Sequence, residues 1–83
     1  MKATRTIEYT NGAGRELKLT VEPWAESFAI APSQKVQIVV EGDETSGHVE
    51  IEQTSEGLIV YGFVGSVISV FCDGEEVAPI DEA

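Results

Sequence analysis

The pattern that most constrains this chain is a two-residue alternation of apolar and polar side chains, repeated in short stretches and nowhere replaced by a helical period. Over residues 15–22, Leu17, Leu19 and Val21 fall on one face, with Glu16, Lys18, Thr20 and Glu22 on the other. Residues 35–41 (KVQIVVE) turn Val36, Ile38 and Val40 inward. Residues 48–54 turn Val49 and Ile51 inward and His48, Glu50 and Glu52 outward. Successive side chains of a strand point to opposite faces, so this alternation marks half-buried strands. Residues 4–10 alternate as well, with Ile7 and Tyr9 against Thr6, Glu8 and Thr10. A shorter run, Phe28 and Ile30 interleaved with Ala29 and Ala31, stops at Pro32.

The turn residues between these stretches suggest three hairpins. A loop of Gly12-Ala13-Gly14 would join a hairpin over 4–22 and pair Tyr9 with Leu17, Ile7 with Leu19 and Glu8 with Lys18. A two-residue turn at Asn11-Gly12 would slip the register by one and put Ile7 opposite Glu16. The polar loop GDETSG would join a second hairpin over 35–54, with Val40 opposite Val49, Ile38 opposite Ile51 and Glu41 opposite His48. Residues 57–72 (GLIVYGFVGSVISVFC) are uncharged and apolar on both faces. They are shorter than the roughly 20 residues a spanning helix needs, and glycines and serines interrupt them. Two strands near 58–63 and 66–72, joined at Val64-Gly65, fit the run better. Strands apolar on both faces are expected inside a packed sandwich or at a subunit contact. Asp73-Gly74 then marks a turn before a short edge strand at 76–78.

Six to eight such strands predict one all-β domain over residues 1–83: a small antiparallel β-sandwich or a partly open barrel, with a short acidic C-terminal tail from about residue 79. The layout resembles immunoglobulin-like and cupredoxin-like sandwiches in architecture alone, which implies nothing about activity. A chain of 83 residues buries only about 60–65% of its unfolded surface. Cys72 is the only cysteine, so no disulfide supplements that core. A lone thiol suits a reducing compartment. Lys2 and Arg5 are followed by no apolar run of the export type, so the expected location is the cytoplasm.

Charge divides the sequence. Lys2, Arg5, Arg15, Lys18 and Lys35 are the only Lys and Arg residues, and they lie in the first 35 positions beside four acids. The other eleven acids follow, and the formal net charge is −10. Such a field disfavours nucleic acid, anionic membrane and acidic substrates and attracts cationic partners.

Several chemistries lack their residues. A blue-copper site needs two His, one Cys and usually an axial Met, but the chain has one His and its only Met is Met1. A structural zinc site wants four Cys or His ligands. Glu41, Asp43 and Glu44 lack the spacing of a calcium loop, and no phosphate-binding glycine motif occurs. His48 and Cys72 are the only pair able to serve as base and nucleophile. Cys72 ends an apolar strand, where a thiol acts as a small hydrophobe, and no third group is placed to orient the imidazole. No enzyme, metal or cofactor is therefore expected.

The expectation is a small acidic, non-enzymatic protein-interaction module that meets a basic protein through Glu41, Asp43, Glu50 and Glu52, and can self-associate through strands in 57–72. Glu50 and Glu52, two apart on a strand, would project from one face about 7 Å apart. That spacing opens an alternative: an inhibitor or nucleic-acid mimic, phage- or defence-related, that blocks a basic groove. A second alternative is carbohydrate or ligand binding at Trp24, although a Trp just after a strand end, between Pro23 and Phe28, more often plugs the end of a core. Neither direct nucleic-acid binding nor membrane association is expected.

Overall fold

The computed structural model describes residues 2–43 and 47–80. Eight strands follow one another: β1 (Lys2–Thr10), β2 (Leu17–Glu22), β3 (Glu26–Ile30), β4 (Lys35–Asp43), β5 (Glu50–Gln53), β6 (Gly57–Tyr61), β7 (Val67–Cys72) and β8 (Glu75–Glu76). They form two four-stranded sheets, ordered β1-β4-β7-β8 and β3-β2-β6-β5. All pairings are antiparallel except β2 with β6. The result is an all-β sandwich rather than a closed barrel. From Asp81 on, the expected acidic tail lies outside the described residues, as does Glu44.

The faces follow the alternation. Leu17, Leu19 and Val21 of β2 and Val36, Ile38 and Val40 of β4 are buried, and they meet Phe28, Ile30, Leu58, Val60, Ile68 and Val70 in one core. The pairing differs from the expectation. None of the three expected hairpins forms, because the chain crosses between sheets at each of those joints. β1 pairs with β4, setting Ile7 opposite Ile38 and Tyr9 opposite Val36. β5 pairs with β6 rather than β4, and β6 and β7 belong to different sheets. A period of two specifies which face a residue shows but not which strand lies beside it. Both the expected and the observed partners keep Ile7 and Tyr9 on the core side.

The hairpins that do form close at other joints. Pro23-Trp24-Ala25 turns β2 into β3. Ser55-Glu56 turns β5 into β6, where the Thr54 amide donates to the Gly57 carbonyl at 2.8 Å. Asp73 and Gly74, both at positive φ, turn β7 into β8, as two-residue hairpin loops require. β8 begins one residue earlier than the strand expected at 76–78.

Asn11 directs the first crossing between sheets. It is fully buried, and its Nδ2 donates to the carbonyls of Arg15, Ile30 and Ala31 while its Oδ1 accepts from the Ala13 amide. Its backbone adds bonds to Gln34 and Ser33. One side chain thereby ties the loop after β1 to the end of β3.

The two lateral edges of the sandwich differ. On the β8/β3 side, the Val77 amide donates to Val70 and the Ile80 amide to Ser27, so residues 77–80 run from one sheet to the other. On the β1/β5 side a cleft lined by Ile7 and Tyr9 of β1 and Ile51 and Gln53 of β5 lies between the two edge strands.

Candidate functional site

The outer face of the β3-β2-β6-β5 sheet gathers carboxylates around one phenol. Register places Tyr61 of β6 beside Glu22 of β2 on one flank and Glu50 of β5 on the other. Its hydroxyl donates to Glu52 Oε1 at 2.8 Å. The hydrogen bond to Glu52, then partial burial, then repulsion from Glu52, Glu50 and Glu22 together hold the phenol above its ordinary pKa of 10.0. Glu22 also accepts from the Ala25 amide at 3.0 Å, which fixes the carboxylate at the β2–β3 turn.

Trp24 sits on that turn, 44% exposed, and lines a shallow basin with Glu22, Pro23, Tyr61, Gly62 and Phe63. Gly62 lets the indole approach: a Cβ there would lie 3.2 Å from Trp24 Cη2 and 2.7 Å from Ser66 Oγ. Ser66 closes the β6–β7 connection, its hydroxyl accepting from the Phe63 amide and donating to the Phe63 carbonyl. The basin thus combines aromatic surface with fixed negative charge, an arrangement that suits a cation over a ring face.

The four acids expected to form one row do not share a face. Glu41 and Asp43 lie on β4, with Gly42 between them buried, so both point out from the β1-β4-β7-β8 sheet. Glu50 and Glu52 point out from the other sheet. The row depended on a β4–β5 hairpin, and β4 instead pairs with β1 and β7. Glu22 takes their place in the cluster. It comes from a parallel neighbour remote in sequence, a pairing to which local alternation gives no signal.

A second feature lies at the β1/β5 edge. Ile7, Tyr9, Leu17, Ile38, Ile51 and Leu58 line a cleft of ≈ 370 Å³ between the sheets, with Arg15 and Gln53 also contributing to its lining. Ile51 is 48% exposed there although it faces the interior.

His48 is exposed and precedes β5, whereas Cys72 ends β7 in the other sheet. The Cys72 sulfur accepts from Gln34 Nε2 at 3.0 Å and contacts the Lys35 carbonyl at 3.6 Å. Among the described residues no hydrogen bond joins the two. Nor does any group of three or more His, Cys, Asp or Glu come together there as a metal site. No helix among them is long and apolar enough to cross a membrane.

Fold and surface together define a small all-β sandwich with an acidic, aromatic-edged face. No protein-family model, curated protein or solved structure matches the chain.

Proposed function

We propose that this protein is a non-enzymatic interaction module of the cytoplasm that binds a cationic segment of a partner protein on the outer face of the β2-β6-β5 strands. One observation carries the reading: Glu22, Glu50 and Glu52, from two strands, converge on Tyr61 beside the half-exposed Trp24. Lys or Arg side chains of the partner pair with the carboxylates and lie against the aromatic rings. Glu22 in the basin, with Glu50 and Glu52 about the adjoining Tyr61, favours a cation there over a neutral sugar. The mimic alternative is weaker, because Glu41 and Asp43 cannot extend the Glu50–Glu52 pair into a phosphate-like row. Self-association through 57–72 retains the exposed Val64 and Val67 as its support.

Titration of the isotope-labelled protein with oligolysine, oligoarginine and oligoglutamate tests this by NMR. The cationic peptides should shift the Trp24 indole and Tyr61 resonances, and binding should weaken with salt. Glu50→Lys combined with Glu52→Lys should weaken binding at least ~10-fold, about 1.4 kcal/mol, while leaving Tm nearly unchanged, since both side chains are exposed. Equal binding by this double variant overturns the reading.

A further inference from the structure

Sheets rarely leave an edge both unpaired and open to the core, because free N–H and C=O groups beside apolar surface recruit another strand. β5 is such an edge. Among the described residues it ends its sheet, pairs only with β6, and exposes all four of its residues. Ile51 stands opposite Val60, which is fully buried, so its side chain is on the core side; it remains 48% exposed, and among the described residues no strand pairs with β5 on its outer side. The apolar cleft opens at this same side. At the opposite side, residues 77–80 bridge the two sheets, a covering that no described segment gives β5.

We propose that the outer edge of β5 accepts an extended segment of a partner protein as an added strand, with alternate residues apolar and basic. This deepens the reading above and rests on it. The alternation of β5 itself selects the occupant. Across an added strand, side chains on one face stand about 4.5–5.5 Å from their neighbours. Basic residues of the segment therefore meet Glu50 and Glu52 on the outer face, and its apolar residues fall beside Ile51 at the cleft mouth. A second copy fits worse, because β5 paired with itself sets Glu against Glu, and like charges directly opposite destabilise a ladder. The β1 edge fits worse too, since Arg5, opposite Val40 and exposed, puts positive charge on the cleft side of that strand. Strand addition of this kind takes affinity from main-chain hydrogen bonds and specificity from alternate side chains.

The test uses the whole protein and three capped octapeptides. One alternates Val and Lys. The second has the same composition in two blocks. The third is the alternating peptide with every second amide N-methylated, so that one edge of its backbone cannot donate. The alternating peptide should bind at least ~10-fold tighter than either control, and it should slow hydrogen exchange at the β5 amides that face away from β6. Ile51→Asp should abolish that preference without changing Tm appreciably. If the block peptide binds as well and β5 stays unprotected, strand addition is overturned while the charge reading stands. If no peptide binds, both fall, and Glu50 and Glu52 serve only to guard the edge. If β5 is protected without peptide and sedimentation shows a dimer, the occupant is a second copy and the proposal of a basic partner segment is wrong.

Discussion

Tyr61 and Glu52 are joined diagonally across the β5–β6 pair: Glu52 lies opposite Ile59, yet its Oε1 accepts the Tyr61 hydroxyl at 2.8 Å. The position directly opposite Tyr61 belongs to Glu50, so the phenol meets one carboxylate by hydrogen bond and a second by proximity. Both favour its neutral form. A phenol whose pKa is higher in the folded state contributes stability that is complete below the unfolded value of 10.0 and is lost as pH climbs through the raised one. In a Tyr9→Phe background, phenolate absorbance should therefore place Tyr61 above its ordinary value. Glu52→Ala should lower it, and Glu52→Gln, which keeps an acceptor, should lower it less. The stability difference between the wild type and Tyr61→Phe should shrink in strongly alkaline buffer. A Tyr61 titration unmoved by Glu52→Ala would show that the bond is not made in solution.

Asn11 carries the junction between the two sheets, and its replacement should be felt throughout the fold. Asn11→Ala removes the donor to the Arg15, Ile30 and Ala31 carbonyls and the acceptor for Ala13. Leaving such groups buried without partners costs about 2–4 kcal/mol, measurable by urea denaturation. Asn11→Asp keeps the shape but aims carboxylate oxygen at carbonyl oxygen. Burial and that repulsion disfavour ionisation, so this variant's deficit relative to the wild type should widen as pH rises from about 4 to 7. A cost under about 0.5 kcal/mol for Asn11→Ala would mean that the loop is held by its backbone alone.

Much of this was legible in the sequence, in a specific sense. Alternation placed Leu17, Leu19, Val21, Val36, Ile38 and Val40 on the core side, where they are. The Asp73-Gly74 turn was legible because its chemistry is local. Strand partners were not. The joints at 11–16, 44–49 and 62–66 look like hairpin loops, but each carries the chain to the other sheet. At the candidate site, Glu50 and Glu52 were readable as a pair because they share one strand. Their separation from Glu41 and Asp43, and their meeting with Glu22, depend on pairings between distant segments. Asn11 read as a turn residue, which it is, but its burial depends on Ile30 and Ala31 arriving from β3.

Gly57 tests the one parallel pairing. It lies opposite Lys18 where β6 starts beside β2, and the Lys18 amide donates to the preceding carbonyl of Glu56 at 2.8 Å. A Cβ at Gly57 would collide with the Lys18 carbonyl oxygen, and its φ of +156° is one that L side chains rarely adopt. Neither backbone can yield without opening the ladder. Gly57→Ala should cost at least about 3 kcal/mol. Gly12→Ala is the matched control, since a Cβ there meets nothing within 4 Å, and it should change stability by less than about 0.5 kcal/mol. Equal Tm shifts for the two variants would argue against β2 and β6 lying side by side.

Ile51 and Val60 offer the sharpest measure of how open the β5 edge is. They are cross-strand partners on the same core-facing side, yet one is 48% and the other 0% exposed. Deleting the methyls of Val60 leaves a cavity among Leu19, Val21 and Leu58, its neighbours in the same core. Val60→Ala should cost about 2–3 kcal/mol by chemical denaturation. Ile51→Ala removes more carbon but borders solvent already, so it should cost less than about 1 kcal/mol. The larger deletion having the smaller effect is the opposite of what residue size alone predicts, and it follows only if nothing of the chain's own covers β5. A cost for Ile51→Ala equal to that for Val60→Ala would mean that the cleft is closed in solution and that the edge has no room for a partner strand.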